Sequence, residues 1–139
     1  MPSKVNFGLM YENELVAIYI GAHADDSAGE AYADCSPRFM KHMAKAIAIG
    51  TYNKVGLESP LVNLTKSDVC KIGLELNTPY ELTTSCYHGG EKACAVCGTC
   101  RDRISAFRAN GVIDPIPYAI DIDWSDCISL EEFYAREAK

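Results

Sequence analysis

Four cysteines within fifteen residues constrain this chain more than any other feature. They are Cys86, Cys94, Cys97 and Cys100, in a C-x7-C-x2-C-x2-C array. Short C-x2-C turns bring sulfur atoms towards one point, and Zn²⁺ favours such an all-sulfur, four-coordinate shell. A closed shell of four thiolates leaves no position for a substrate, so it holds structure. The sequence therefore predicts a structural zinc site in a zinc-binding segment over residues 85–103.

Other interpretations of the cysteines fit the sequence less well. A disulfide framework uses an even number of cysteines behind an export signal, whereas this chain has seven and shows no signal peptide. An iron–sulfur run would continue with a further cysteine, but Arg101, Asp102 and Arg103 follow instead. A redox pair needs only two cysteines. Four buried thiols without a metal would be unusual beside charges and glycines. Cys70 lies outside the array, in a helical pattern that indicates a packing role.

Size and charge narrow the class of protein further. With 139 residues the chain fits one domain, or most of one, and its 48% hydrophobic and 23% charged residues are ordinary for a soluble globular protein. A net charge of −6 disfavours a general nucleic-acid or anionic-membrane binder, which relies on excess lysine and arginine. The sequence has no apolar run of membrane-spanning length. Reduced cysteines without an export signal predict a cytoplasmic protein.

Two stretches have the pattern of strands in a parallel sheet. Leu15–Ala22 is a continuous apolar run with β-branched residues, which predicts a strand buried on both faces. Lys54–Val62 is the second candidate strand. The first run leads into the polar residues His23, Asp25 and Asp26. Because open α/β folds place ligands in loops at the carboxyl ends of their strands, we expect a ligand loop here.

Capping signals predict where the helices begin. Ser36 is the expected N-cap of a helix that stops near Gly50. Apolar residues recur every four positions along that helix, at Phe39, Met43 and Ile47. Thr65 and Asp68 form a predicted capping box for a second helix, which ends by Asn77.

The carboxyl-terminal part continues this alternation. A further helix is predicted to start near Cys97, and Ser129 with Glu132 predicts a capping box for a short terminal helix. Tyr118–Trp124 alternates apolar and acidic residues, which indicates a half-exposed strand or an extended tail. The order strand–helix–strand–helix predicts an α/β fold with parallel strands. Since two parallel strands make a poor sheet, we expect a single incomplete domain over residues 1–139.

Five segments, in order along the chain, are similar to those of the 7-cyano-7-deazaguanine synthase family. They are GAHADD at Gly21–Asp26, YADCSP at Tyr32–Pro37, LTKSDV at Leu64–Val69, GLELNTPYELTTSCY at Gly73–Tyr87 and CAVCGTCRDR at Cys94–Arg103. The resemblance extends from roughly Leu15 to Trp124, which makes it far more specific than a single motif. The four cysteines of the array fall on the zinc ligands of that family.

The resemblance implies a fold and a reaction. The fold is a partial doubly wound parallel sheet of the adenine-nucleotide alpha hydrolase type, with a C-terminal zinc-binding helical segment. The reaction takes 7-carboxy-7-deazaguanine, ATP and ammonia, with Mg²⁺, to the 7-cyano product, a precursor of queuosine in tRNA. The carboxylate is adenylated, ammonia displaces the phosphate leaving group to give an amide, and a second activation with dehydration gives the nitrile.

Within this resemblance, several residues become candidates for ligand contacts. His23, Asp25 and Asp26 are predicted to bind substrate, because carboxylates suit the N–H donors of a deazaguanine ring. A polar turn and a weak His-x-Asp-Asp metal site are the alternatives. Lys66 lies at a helix start, where the helix dipole disfavours a cation unless it faces an anion. The resemblance to the ATP-pyrophosphatase group implies that Lys66 helps hold nucleotide phosphate. The alternative for Lys66 is a solvated surface side chain.

Residues beside the cysteines have two interpretations each. Ser85 and Tyr87 are predicted to line the substrate pocket, with simple support of Cys86 as the alternative. Arg101 and Arg103 are expected to balance the charge of the thiolates, with a contact to substrate carboxylate as the alternative.

One departure from the family is the missing phosphate loop, Ser-Gly-Gly-x-Asp-Ser, whose backbone N–H groups would bind phosphate. The nearest candidates, Ser27–Gly29 and Gly89–Gly90, do not match it. The sequence therefore predicts a fragment, one half of a split enzyme, a shortened product or a variant without ATP chemistry, which does not hydrolyse ATP alone. We expect it to pair with itself, as a homodimer, or with a separate chain that carries the phosphate loop.

Two other functions remain open at this point. One is a non-enzymatic structural zinc module for protein or nucleic-acid contacts, which the acidic charge and the lack of a basic–aromatic stripe disfavour. The other is a different ATP-pyrophosphatase-type enzyme, such as an amidotransferase or a thiolation enzyme, which the cysteine spacing disfavours.

Overall fold

The computed structural model describes residues 16–137. Its first part contains two short parallel strands that are connected through a helix. Strand β1 is Val16–Tyr19 and strand β2 is Val55–Glu58, with Val16 opposite Val55 and Tyr19 opposite Glu58. The connecting helix is α2, Pro37–Gly50, and a short helix α1, Ala24–Ser27, follows β1. The chain divides after Leu64 into two units. The predicted α/β class with parallel strands is confirmed.

The expected burial of the first strand on both faces is wrong. Ile18 is 46% and Tyr19 is 71% exposed. In the described part of the chain the sheet contains β1 and β2 alone, so few side chains cover them. Leu15, the first residue of the predicted strand, lies outside the described residues.

Helix α2 begins where its cap predicts, but it buries a different face from the one expected. Ser36 is the N-cap, and its Oγ accepts a hydrogen bond of 3.2 Å from the backbone N–H of Phe39. Phe39 and Met43 are each 38% exposed, whereas Met40, at 4%, packs against Ala22 and Val62. The helical period is therefore correct, but the way the helix meets the sheet decides which residues are buried.

The second unit is built around two packed helices, α3 at Lys66–Glu75 and α4 at Gly98–Ala109. The predicted capping box of α3 is present, because the Thr65 hydroxyl accepts from the Asp68 N–H and the Asp68 carboxylate accepts from the Thr65 N–H. The buried core is formed by residues of both helices and the segment after α4. Its members are Cys70, Leu74, Ala106, Phe107 and Val112.

The segment after α4 is mostly irregular. Tyr118–Trp124 contains no strand, and Tyr118 makes a single bridge to Ala93. Helix α5 is Leu130–Glu137, and the Ser129 hydroxyl accepts from the Glu132 N–H at 3.1 Å. Among residues 16–137, no helix combines the length and the apolar character that crossing a bilayer requires.

Candidate metal centre and neighbouring pocket

The four cysteines singled out by their spacing converge in the structure. The sulfur atoms of Cys86, Cys94, Cys97 and Cys100 all lie within 4.8 Å of one another. The Cys94 and Cys100 sulfurs are 3.9 Å apart, close to the edge of about 3.8 Å that a tetrahedron with Zn–S bonds of about 2.3 Å requires. The donor set and its dimensions fit a metal ion such as zinc.

Backbone amides and the start of α4 organise these sulfurs. The Cys94 N–H donates to the Cys86 sulfur at 3.4 Å, and the Cys97 N–H donates to the Cys94 sulfur at 3.3 Å. Cys97 is the N-cap of α4, and Cys100 lies in its first turn with no exposed surface. The C-x2-C turns therefore combine with a helix start to direct the sulfurs inward.

The thiols have different affinities for protons. Hydrogen bonds from the backbone N–H groups of Cys94 and His88 lower the pKa of Cys86 to about 7. The Thr99 hydroxyl, together with backbone N–H groups, lowers the pKa of Cys97 to about 5. Burial raises the pKa of Cys100 to about 12. A divalent cation would supply the positive charge needed to ionise all four thiols, so metal binding here displaces protons.

Thr99 links the metal centre to the segment before it. Its Oγ1 donates to the carbonyl oxygen of Ser85 at 2.6 Å and lies 3.3 Å from the Cys97 sulfur. The Ser85 hydroxyl is buried, and it has no hydrogen-bond partner among the described residues. Tyr87, on the other side of Cys86, is 72% exposed. Of the two predicted pocket residues, Ser85 thus faces the protein interior.

Lys66 and Ser85, predicted as a phosphate contact and a substrate contact, line the same cavity beside α3 and α4. The cavity has a volume of about 140 Å³. Its other lining residues are mainly apolar and include Val69, Cys70, Tyr80 and Phe107. The second unit therefore brings these two predicted ligand residues to one site.

The predicted ligand loop after β1 lies in the first unit. His23 is 7% exposed, and its Nε2 is 3.2 Å from Oδ2 of Asp26. Its Nδ1 is buried without a hydrogen-bond partner among the described residues. Asp25 and Asp26 belong to the first turn of α1. The loop thus presents an imidazole and two carboxylates at the carboxyl end of a parallel strand.

Arg103 does not have the expected role of balancing the thiolates. It is 8% exposed, and its guanidinium makes two hydrogen bonds to the Asp114 carboxylate, at 2.6 and 2.9 Å. It also donates to the Thr83 hydroxyl at 2.7 Å and to the Tyr80 carbonyl at 3.2 Å. Tyr118 donates to the same carboxylate at 2.7 Å. This buried network joins α4 to the segments before the cysteines and after the helix.

Asp114 was not identified by sequence reasoning, although a signal for it exists. It is 4% exposed and lies between apolar neighbours, in the run Val112-Ile113-Asp114-Pro115-Ile116. A lone carboxylate in such a run requires a buried partner, because an unpaired buried charge is costly. Arg101, the other arginine that was expected to balance the charge of the thiolates, is exposed.

The structure combines parallel strands with helices and a four-cysteine cluster that could bind a metal ion. The protein is therefore an α/β protein with a candidate metal centre. The family model described as "Queuosine biosynthesis protein QueC" matches residues 4–111, and the chain belongs to this family.

Curated relatives agree with this assignment. The chain is 52% identical over 107 residues to a 7-cyano-7-deazaguanine synthase of Caldicellulosiruptor saccharolyticus, covering 77% of this chain and 47% of the relative. It is 49% identical over 104 residues to that of Methanospirillum hungatei, covering 73% and 46%. It is 40% identical over 121 residues to that of Archaeoglobus fulgidus, covering 86% and 49%. The chain thus spans about half the length of these relatives.

Proposed function

We propose that this chain is the zinc-bearing, carboxyl-terminal portion of a 7-cyano-7-deazaguanine synthase with an adenine-nucleotide alpha hydrolase-like fold. One observation carries the proposal: four cysteine sulfur atoms lie within 4.8 Å of one another in a chain that is 52% identical to a protein of that name. The zinc is structural. Its ligands are Cys86, Cys94, Cys97 and Cys100, and when bound it fixes the loop that leads into α4.

The proposed reaction converts 7-carboxy-7-deazaguanine to the nitrile. A carboxylate is a poor electrophile, and ATP turns one of its oxygens into a phosphate leaving group. Ammonia then displaces that group to form an amide, and a second activation removes the amide oxygen. ATP, Mg²⁺ and ammonia are the co-reactants in the complete enzyme, and the product feeds queuosine biosynthesis in the cytoplasm.

Three groups of residues are proposed to contact the ligands. His23, Asp25 and Asp26 contact the substrate from the loop after β1, a role that suits the carboxyl end of a parallel strand. Lys66 holds nucleotide phosphate at the start of α3. Ser85 and Tyr87 contact substrate on either side of the first zinc ligand, and the cavity that Ser85 shares with Lys66 supports this role for Ser85.

We further propose that the chain acts together with a phosphate loop that it does not itself contain. A Ser-Gly-Gly-x-Asp-Ser loop carried by a separate chain would bind the ATP phosphates through its N–H groups. The alternative partner is a second copy of this chain, in a homodimer. The proposed activity involves no direct binding of nucleic acid.

The test is turnover of 7-carboxy-7-deazaguanine with ATP, Mg²⁺ and ammonia, followed by mass spectrometry. The zinc-loaded chain is assayed alone and then mixed with a separately made phosphate-loop half from a relative. Nitrile from the mixture alone is the expected result, and product from the chain alone would refute the need for the added loop. No product from either, combined with retention of RNA at moderate salt, would instead support a non-enzymatic zinc module.

A further inference from the structure

The cavity beside α3 and α4 has the size of one aromatic ring. Its volume is about 140 Å³, whereas a dry protein cavity of about 150 Å³ holds benzene and a pocket for a drug-sized ligand begins at about 300 Å³. Val69, Tyr80, Ala106 and Phe107 contribute apolar surface to its wall. The rings of Tyr80 and Phe107 meet edge to face, with centroids 5.0 Å apart. Such a wall suits a flat ring.

Most of this wall carries no net charge available to a ligand. Arg103 lines the cavity, but the Asp114 carboxylate matches its charge through two hydrogen bonds. Burial raises the pKa of the Cys70 thiol to about 11, so this lining group is neutral at physiological pH. Lys66, half-buried at the start of α3, also lines the cavity. The cavity therefore suits an uncharged ring.

Ser85 adds one polar group to this apolar wall. Its buried hydroxyl has no partner among the described residues, and leaving such a group unpaired is unfavourable. The backbone of Ser85 is held by Thr99, and Ser85 directly precedes the metal ligand Cys86. The metal loop thus fixes the position of a hydroxyl that requires a hydrogen-bonding partner.

From these observations we infer that the cavity accepts a single uncharged heteroaromatic ring whose polar edge hydrogen-bonds to Ser85. Under the proposed function, on which this identification of the ligand rests, the ring is the pyrimidinone part of the deazaguanine substrate. The zinc site then contributes to substrate binding indirectly, by positioning Ser85. Val69 and Ser85 determine which ring is accepted, through shape and through the hydrogen bond.

The experiment uses the zinc-loaded full chain, ¹⁵N-labelled, and 2-aminopyrimidin-4-one as the probe, followed by amide chemical shifts. We expect saturable shifts in α3, in α4 and at Ser85. Ser85→Ala should weaken probe binding about fivefold to tenfold, the effect of one hydrogen bond. Val69→Phe should fill the cavity and weaken binding at least tenfold.

Leu76→Phe is the matched control, because it adds the same ring to the end of α3 at a residue that is 73% exposed. It should bind the probe as the unmodified chain does. Benzoate, a charged ring of similar size, should bind at least tenfold more weakly than the probe. The dispersion of amide shifts and the zinc content of each variant confirm that it is folded.

Unchanged probe affinity in Val69→Phe, or the absence of saturable shifts in the unmodified chain, would overturn the inference. The turnover assay tests the proposed function, and its result does not depend on the result of the probe-binding experiment. Turnover in the mixture with an unaffected Val69→Phe variant would leave the synthase standing without this ring site. Probe binding that Val69→Phe abolishes, without turnover, would leave the ring site standing without the synthase.

Discussion

The two units satisfy their apolar and charged side chains in different ways. In the first unit, a small buried cluster of Ala22, Met40 and Val62 lies under a sheet whose Ile18 and Tyr19 are largely exposed. In the second, two packed helices and the segments beside them contribute to a larger core, a buried ion pair and four converging sulfurs. The described residues of the second unit therefore supply most of their own partners, whereas several apolar side chains among residues 16–64 are exposed.

This difference shows which stabilising interactions each unit obtains from its own described residues. Helix–helix packing and metal binding in the second unit depend on neighbours within the same unit, Thr65–Lys139. A parallel sheet, by contrast, needs both faces covered by other elements. The predictions below test this contrast, beginning with the largest expected effect.

Removal of zinc should destabilise the second unit and leave the first unchanged. Binding of structural zinc by small zinc modules is worth about 10–16 kcal/mol, so a chelator should raise amide hydrogen exchange in the segment before α4 and in its first turn. Exchange in β1, β2 and α2 is the internal control. Equal acceleration in both units would show that the zinc does not act locally.

Zinc affinity should fall as the pH decreases, and fall faster below pH 7. The pKa of Cys100 is raised to about 12, so zinc displaces at least its proton throughout the neutral range. The pKa of Cys86 is lowered to about 7, so Cys86 is a thiolate above that pH. Below that pH Cys86 is a thiol, which must also lose its proton when zinc binds. Affinity should drop at least about tenfold per pH unit above 7 and at least about 100-fold below it, as measured by chelator competition. A flat profile would contradict the assigned ligands.

Asp114→Asn should strongly destabilise the second unit. It leaves the buried Arg103 guanidinium without its carboxylate, and breaking such a pair costs about 3–5 kcal/mol. Urea unfolding monitored at Trp124, which packs against the core, measures the effect. Asp121→Asn is the matched control, because Asp121 is exposed, and it should change stability by less than about 0.5 kcal/mol. Equal effects would show that the buried network does not stabilise the unit.

Met40→Ala should destabilise the first unit by about 2 kcal/mol, at the low end for a buried methionine, because the surrounding cluster is small. Ile49→Ala, in the same helix but 68% exposed, should cost less than about 0.5 kcal/mol. Hydrogen exchange of the α2 amides measures both values. A cost above about 4 kcal/mol for Met40→Ala would mean that the first unit is packed as tightly as the second.

Gly73→Ala should destabilise the second unit by about 1–2 kcal/mol, because overpacking outweighs the higher helix propensity of alanine. An added Cβ at Gly73 would overlap the hydroxyl of Tyr80, which donates to the Cys70 carbonyl. Gly50→Ala, with open space around the added atom, should be neutral or slightly stabilising. Thermal unfolding measures the effect, and Tyr80→Phe in combination with Gly73→Ala should recover part of the loss.

Features set by neighbouring residues could be predicted from the sequence. The caps at Ser36 and at Thr65 with Asp68 depend on hydrogen bonds that span three residues. The cysteine cluster depends on turns of fixed length, which bring Cys94 and Cys97 together whatever the rest of the chain does.

Features set by distant packing could not be predicted in the same way. The period of α2 was correct, yet the sheet buries Met40 and leaves Phe39 half-exposed. Arg103 follows the cysteines closely, which suggested thiolate charge balance. Its partner Asp114 lies eleven residues further on, in an irregular segment whose path no periodicity reveals.

The central claim is most directly tested by the zinc content of the purified chain, determined by native mass spectrometry and elemental analysis. We predict one zinc per chain, its loss in Cys97→Ser, and its retention in Cys127→Ser, a half-buried cysteine outside the cluster. A folded chain that binds no zinc, or one that holds zinc equally well after Cys97→Ser, would contradict the account.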